Sequence, residues 1–189
     1  MGRHNQKGAE YERQTCGKLS HWVSNGLRED CFWRTAMSGG RANLPSRRAK
    51  GQTFHAQSGD ISAIRQEGHL LLKLFMVECK WYANLNLEAP IFGRRGVITD
   101  IWNKLRKEAK NRGVTPLLMA KQNRRGEVMC TNAAGLAILQ RGAREELVPI
   151  AVFPRMRMHV LLVGDVLTQV KFRRIRKWQR RLNNALRKR

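Results

Sequence analysis

The sequence predicts an α/β fold: a central mixed β-sheet flanked by helices, followed by a basic C-terminal helix. Three observations carry that expectation. Helical apolar spacing near the N-terminus gives way to short strand-like runs, then a second helical stretch and more strand-like runs, an order that builds an α/β sheet. With 189 residues and 42% hydrophobic composition, the chain is long and apolar enough to bury a core. After Asp165 the chain carries no acid and is dense in arginine and lysine, while an apolar stripe recurs through it.

The elements follow in order. Residues 8–24 predict a helix, because Tyr11, Glu12, Cys16, Leu19, Trp22 and Val23 recur at helical spacing and Asn25-Gly26 supply a stop. Cys31–Ala36 reads as a short strand. The segment 38–58 carries Gly39-Gly40, Pro45, Arg47, Arg48, Lys50 and Gly51 with little apolar periodicity, and reads as a basic, mobile loop. Asp60–Ile64 reads as a strand, Gln66-Glu67-Gly68 as a hairpin turn, and Leu70–Lys80 as a central strand apolar on both faces. Thr99 or Asp100 is placed to cap a helix running to Arg112, with Gly113 as its stop. Pro116–Ala120, Glu127–Cys130, Val148–Val152 and Met158–Val163 are further strands, with a short helix at 132–140. Asp165–Arg189 reads as one basic helix. The first three strands are expected to be antiparallel, and the next to be added after a helical crossover. The division expected is a folded domain over 1–165 and a basic amphipathic extension over 166–189.

The net charge is +23, from 37 Lys and Arg against 14 Asp and Glu. Such an excess implies a polyanionic partner, nucleic acid before an anionic membrane. No stretch is apolar and long enough to span a bilayer, and the polar N-terminus does not read as a signal peptide. The four cysteines, Cys16, Cys31, Cys79 and Cys130, form no C-x-x-C pair and are expected as buried free thiols in a reducing cytoplasm. His4, His21, His69 and His159 show no pairing at ligand spacing, and for His55 in the long loop a ligand role and plain exposure are both open. Trp33, Trp81 and Trp102 are expected in the core or at a dimer contact.

The chemistry concentrates in Asp60, Glu78 and Lys80. Glu78 and Lys80 lie two apart, so on a strand both project from one face while Cys79 points to the other. Asp60 opens the preceding strand, which a hairpin would return beside Glu78. Two carboxylates and the Cys79 backbone carbonyl are hard oxygen donors of the kind magnesium takes. A bound ion would acidify a water and neutralise charge on a phosphodiester. Adjacent carboxylates oppose a low lysine pKa, so Lys80 is expected to orient and stabilise charge rather than act as a base. The pattern alone is short, and a plain Glu78–Lys80 surface pair remains open beside it. Glu12 shares the apolar stripe of the first helix, whereas Glu10 lies on a polar side; a metal ligand and a salt-bridged border position are both open for it.

Lys7-Gly8-Ala9-Glu10-Tyr11-Glu12-Arg13, then Arg34 and Ser38-Gly39, then Gly59-Asp60-Ile61 and Val77-Glu78-Cys79-Lys80, together resemble the archaeal-type Holliday junction resolvases of the PD-(D/E)xK, or restriction-endonuclease-like, superfamily. The resemblance covers roughly the first half of the chain. It implies a restriction-endonuclease-like core, with Glu12, Asp60, Glu78 and Lys80 catalytic. It further implies that Arg13 and Arg34 contact phosphates, that Ser38 lies beside the scissile strand, and that a homodimer nicks opposed strands of a four-way DNA junction in recombination and repair. Magnesium is the cofactor implied, with manganese able to substitute; no small-molecule cofactor and no membrane are. The setting implied is the cytoplasm of a prokaryote or of a phage host. The chain departs from the family in its long 41–57 stretch, in Gly59 where the superfamily commonly has proline, and in its extended C-terminal half. These departures bear on substrate shape more than on hydrolysis.

Further cations fit a sequence-independent grip on phosphates. Arg173, Arg174, Lys177 and Arg181 lie on the tail beside the stripe Ile175, Trp178, Leu182 and Leu186, and Arg47, Arg48 and Lys50 lie in the long loop. Readings that compete with a resolvase are a duplex or restriction-type nuclease and a non-catalytic nucleic-acid-binding module.

Overall fold

The computed structural model describes residues 3–35, 57–86 and 88–186. Ser38, Arg47, Arg48 and Lys50 lie outside the described residues, as does the loop expected over 38–58 except for its last two positions.

Helix α1 spans Arg3–Ser24. Its inward stripe buries Tyr11, Leu19 and Val23 completely. It stops where Asn25 and Gly26 take positive φ, and the Gly26 amide donates back to the His21 carbonyl at 2.7 Å. Strands β1 (Phe32–Arg34), β2 (Gln57–Ser58) and β3 (Ile61–Ala63) form a small antiparallel sheet in the order β1-β3-β2.

The next element corrects the expected hairpin. Gln66–Leu74 is helix α2, and only from Phe75 does the chain extend as β4, Phe75–Tyr82. The run Leu70–Val77 is apolar at every position but Lys73, a pattern compatible with a buried helix as well as a buried strand. Tertiary packing decides. Leu71 and Leu72 are both fully buried, and Gly68 lies against the Phe32 ring and the Cys31 carbonyl so closely that a Cβ would clash at 2.8–2.9 Å. Because a helix intervenes, β3 does not pair antiparallel with β4. Instead the turn before β3 meets β4 in a parallel bridge, Gly59 to Val77, with the Asp60 amide donating to the Val77 carbonyl at 2.9 Å. Gly59 has φ +82°, and a Cβ there would overlap that same carbonyl. This accounts for glycine rather than proline before Asp60.

The main sheet has five strands in the order β4-β5-β6-β8-β7. The remaining members are β5 (Thr115–Gln122), β6 (Glu127–Thr131), β7 (Ala151–Phe153) and β8 (Met158–Leu162). Strand β4 pairs parallel with β5 across helix α3 (Val97–Asn111), and the other pairs are antiparallel. The expected crossover is thus present, but β4 is an end strand of the sheet rather than a central one. Both its faces are still covered: Phe75, Val77 and Cys79 face the core shared with α1, and Met76 faces the core shared with α3. Helix α3 starts ahead of the expected cap. Thr99 sits inside the first turn, and its hydroxyl accepts from the Gly96 amide at 3.3 Å. Helix α4 spans Ala133–Gln140, and Asn132 caps it by accepting from the Gly135 amide at 2.9 Å.

Two expectations at the C-terminal end change. The strand expected at Val148–Val152 is reduced to β7, because Pro149 has no amide to donate and the Leu147 amide is taken by the Gln140 side chain at 2.8 Å. The tail is two helices, α5 (Val163–Gln169) and α6 (Phe172–Leu186), not one. The break at Val170-Lys171 is held by tertiary bonds: Trp22 Nε1 donates to the Val170 carbonyl at 2.6 Å, and the Lys171 amide donates to Gly142. Phe172 and Ile175 enter the core shared with α1, whereas Leu182 and Leu186 stay exposed. The cysteines are buried and free, as expected. Trp102 is fully buried, but Trp33 is 64% exposed and is not a core residue of the described chain. No helix among the described residues is long and apolar enough to cross a membrane.

Candidate active site

Three elements converge at the outer edge of β4. Glu78, Cys79 and Lys80 belong to β4 itself, Asp60 arrives on the turn between β2 and β3, and Glu12 comes from α1. Asp60 is 2% exposed and Glu12 8%. Neither is a solvated surface charge, so each needs compensation.

The Lys80 ammonium supplies much of it. Its Nζ lies 3.1 Å from Asp60 Oδ2, 2.6 Å from Glu78 Oε1 and 3.2 Å from the Cys79 carbonyl oxygen. Asp60 Oδ2 also accepts from the Cys79 amide at 2.8 Å, which fixes the carboxylate against the strand. The three oxygens named from sequence as metal donors therefore surround one cationic nitrogen. The hairpin that was to bring Asp60 to Glu78 is absent, yet the parallel bridge at Gly59 achieves the same approach.

Glu12 stands apart from this cluster. Its Oε2 accepts from Arg34 Nε on β1 at 2.9 Å. Among the described residues, no three His, Cys, Asp or Glu side chains come together as a ready-made metal site. Glu12 is nevertheless close enough to feel Asp60 and Lys80. Burial pushes its carboxyl above the usual glutamate value, the hydrogen bond from Arg34 works against that, and the Asp60 charge adds to it. Glu78 is raised in the same way, first by burial and then by Asp60, with Lys80 offsetting only part. For Lys80, burial works against the ammonium, but Asp60 and Glu78 outweigh it and hold the pKa above the ordinary lysine value. A lysine so held is protonated at neutral pH and cannot be a resting base. The Cys16 thiol is pushed up to about 12 by burial and then by Glu12, so it is no nucleophile.

Sequence reasoning missed two parts of this site. One is the Arg34–Glu12 pair, since the two residues lie on separate elements. The other is a cavity of about 290 Å³ between β4 and α3, where Asp100, Lys104 and Glu108 face Glu78, Lys80 and Tyr82. The four-residue spacing of Asp100, Lys104 and Glu108 marks one helix face and could have revealed it. Of the cations expected to hold DNA, Arg13 is exposed one residue after Glu12, and Arg34 is partly exposed while bound to Glu12. Arg173, Arg174, Lys177 and Arg181 are exposed on α6, where Arg174 also donates to the Ala143 carbonyl at 3.1 Å.

The donor set fits a hard divalent cation. Two carboxylates and a carbonyl that can all contact one ammonium nitrogen can contact one small ion, and all are oxygen. The architecture, a mixed five-stranded sheet flanked by helices with these residues at its β4 end, is that of a PD-(D/E)xK nuclease core. Such nucleases generally use divalent metals. No curated protein and no solved structure matches the chain. A family model described as phage putative PDDEXK endonuclease matches residues 3–152, and the chain belongs to that family.

Proposed function

We propose that this endonuclease is magnesium-dependent, that Glu12, Asp60, Glu78 and Lys80 form its active site, and that a two-copy assembly cuts opposed strands of a four-way DNA junction. The observation that carries the chemistry is the convergence of Asp60 Oδ2, Glu78 Oε1 and the Cys79 carbonyl on a single cation. These oxygens, with Glu12 nearby, would hold the metal. The ion would supply an activated water and neutralise charge at the scissile phosphate. Lys80 is a cation in the metal-free site, and its part is to bind and orient an oxygen of the reacting phosphate. Arg34 holds the Glu12 carboxylate in position. Arg13 and the exposed cations of α6 grip the DNA backbone without reading sequence. The junction as substrate, and with it a role in recombination or repair, rests on the sequence resemblance to resolvases.

A second reading is a duplex nuclease, favoured by the family's description, which names an endonuclease and no branched substrate. A mobile four-way junction and a linear duplex of the same sequence, each with and without magnesium, separate the two. Paired cuts confined to the junction support the first reading, and equal cleavage of the duplex supports the second. Glu78→Ala should abolish cleavage of either substrate and keep salt-sensitive DNA binding. Cleavage by that variant at the wild-type rate would overturn the site assignment.

A further inference from the structure

The end of the main sheet opposite β4 has its own unusual surface. Val148, Ile150 and Val152 alternate along the chain into β7 and are 76%, 55% and 49% exposed. Ile91 and Phe92, on the turn after β4, are 66% and 71% exposed. Ile91, Phe92, Val152 and Phe153 line an apolar groove of about 870 Å³. Soluble chains rarely leave so many large apolar side chains together unless something covers them.

The charges around this patch identify what fits it. Glu145 and Glu146 are exposed immediately before the apolar stretch, and Arg155 follows it. Arg94, Arg95 and Arg155 line the groove. None of these five charged residues forms an ion pair among the described residues. Read along the chain, the edge runs from Arg144, Glu145 and Glu146, with one net negative charge, through the apolar stretch to Arg155 and Arg157, with two positive charges. An antiparallel copy of such a segment is its own complement. A two-fold axis near Ile150 would bring Glu145 and Glu146 of one copy toward Arg155 and Arg157 of the other, and the apolar middle onto itself. In a chain with 37 basic residues and 14 acidic ones, the edge places two scarce acids where a second copy's cations would fall.

We propose that the β7 edge, with the Ile91-Phe92 turn, is the self-association surface of this chain. Pro149 and Pro154 bracket β7 and lack amide donors, so the contact runs through side chains rather than through a continued β-ladder. The proposal supplies the surface for the two-copy assembly of the functional reading, and rests on that part of the reading alone. It does not depend on the metal chemistry.

The test is the mass of the full chain in solution, by light scattering or sedimentation. Wild type is expected at the two-copy mass and Ile150→Glu at the single-copy mass. Because Ile150 is exposed in the single copy, circular dichroism should not change, and the thermal melt should fall only by what pairing contributes and lose its dependence on protein concentration. Arg155→Glu should weaken association at least tenfold, and adding Glu146→Arg should restore it. A single-copy wild type, or an Ile150→Glu variant that stays paired, overturns the proposal. So does a loss of DNA affinity in Ile150→Glu and Arg155→Glu with no change in mass, which would assign the edge to DNA. Failure of the nuclease reading looks different: a wild type that never cleaves DNA, whatever its mass.

Discussion

The two ends of one sheet invert the ordinary rules in opposite directions. At the β4 end, Asp60, Glu12 and much of Glu78 and Lys80 are withdrawn from water. At the β7 end, two valines, two isoleucines and a phenylalanine are left in it. A chain selected only for stability would exchange the two patterns, because burying charge and exposing apolar surface both cost free energy. The contrast separates what each end is for. Buried charge suits the cation and phosphate site proposed for the β4 end, and exposed apolar surface suits the protein contact proposed for the β7 end.

The sharpest way to break the β4 end is to remove an oxygen donor. Asp60→Ala should lower cleavage on the order of 10³-fold while DNA affinity is kept, measured as single-turnover cleavage beside filter binding. Gly59→Ala comes next. It puts a Cβ on the Val77 carbonyl and forces an alanine to φ +82°, so a loss of about 3 kcal/mol in urea unfolding is expected. A loss below about 1 kcal/mol would mean the bridge can part at little cost.

Lys80→Met tests the charge balance directly. In wild type the ammonium must leave the three oxygens before an ion can take them. Removing it leaves those oxygens uncompensated, so calcium, a non-catalytic stand-in, should bind roughly tenfold tighter, read by calorimetry. Equal or weaker calcium binding would show that Lys80 does not hold the ion's place.

The raised Glu12 and Glu78 carboxyls predict a pH effect with a definite sign. Their protons are held more tightly folded than unfolded. Stability of the metal-free protein therefore falls as pH rises from the ordinary glutamate value of about 4.3 through the raised values. Cleavage requires ionised donors and should rise with pH, and its acid limb should move to lower pH as magnesium is raised, because the ion competes with the protons for the same carboxylates. An acid limb that does not move with magnesium would count against these carboxylates as the metal donors. The smallest effect belongs to the other end of the sheet. Placed in the single-copy Ile150→Glu background, Val148→Ala should change unfolding free energy by less than about 0.5 kcal/mol, because a side chain 76% exposed contributes little to the core.

Much of this was legible in the sequence. Glu78 and Lys80 share a strand face because strand side chains alternate, and that held. Glu12 reads as unusual because it lies on an apolar stripe, and it is buried. The helix over Gln66–Leu74 was not legible, since a run apolar on every side carries no period to tell helix from strand. The break in the tail was hidden for a related reason: the Trp22 and Gly142 bonds that hold Val170-Lys171 extended come from residues far away in the chain.

The sequence by itself determined the α/β class, the cationic composition and which residues are candidates for the chemistry, because composition, spacing and residue type are local properties. Tertiary structure alone decided how Asp60 reaches Glu78. The two are brought together by a parallel bridge at a glycine too close to Val77 to bear a side chain, rather than by the hairpin that local signals favoured. It also decided that Lys80 stands among three oxygens and that the far edge of the sheet is left apolar and open. Each depends on which strands become neighbours, and that is set by the packing of the whole chain.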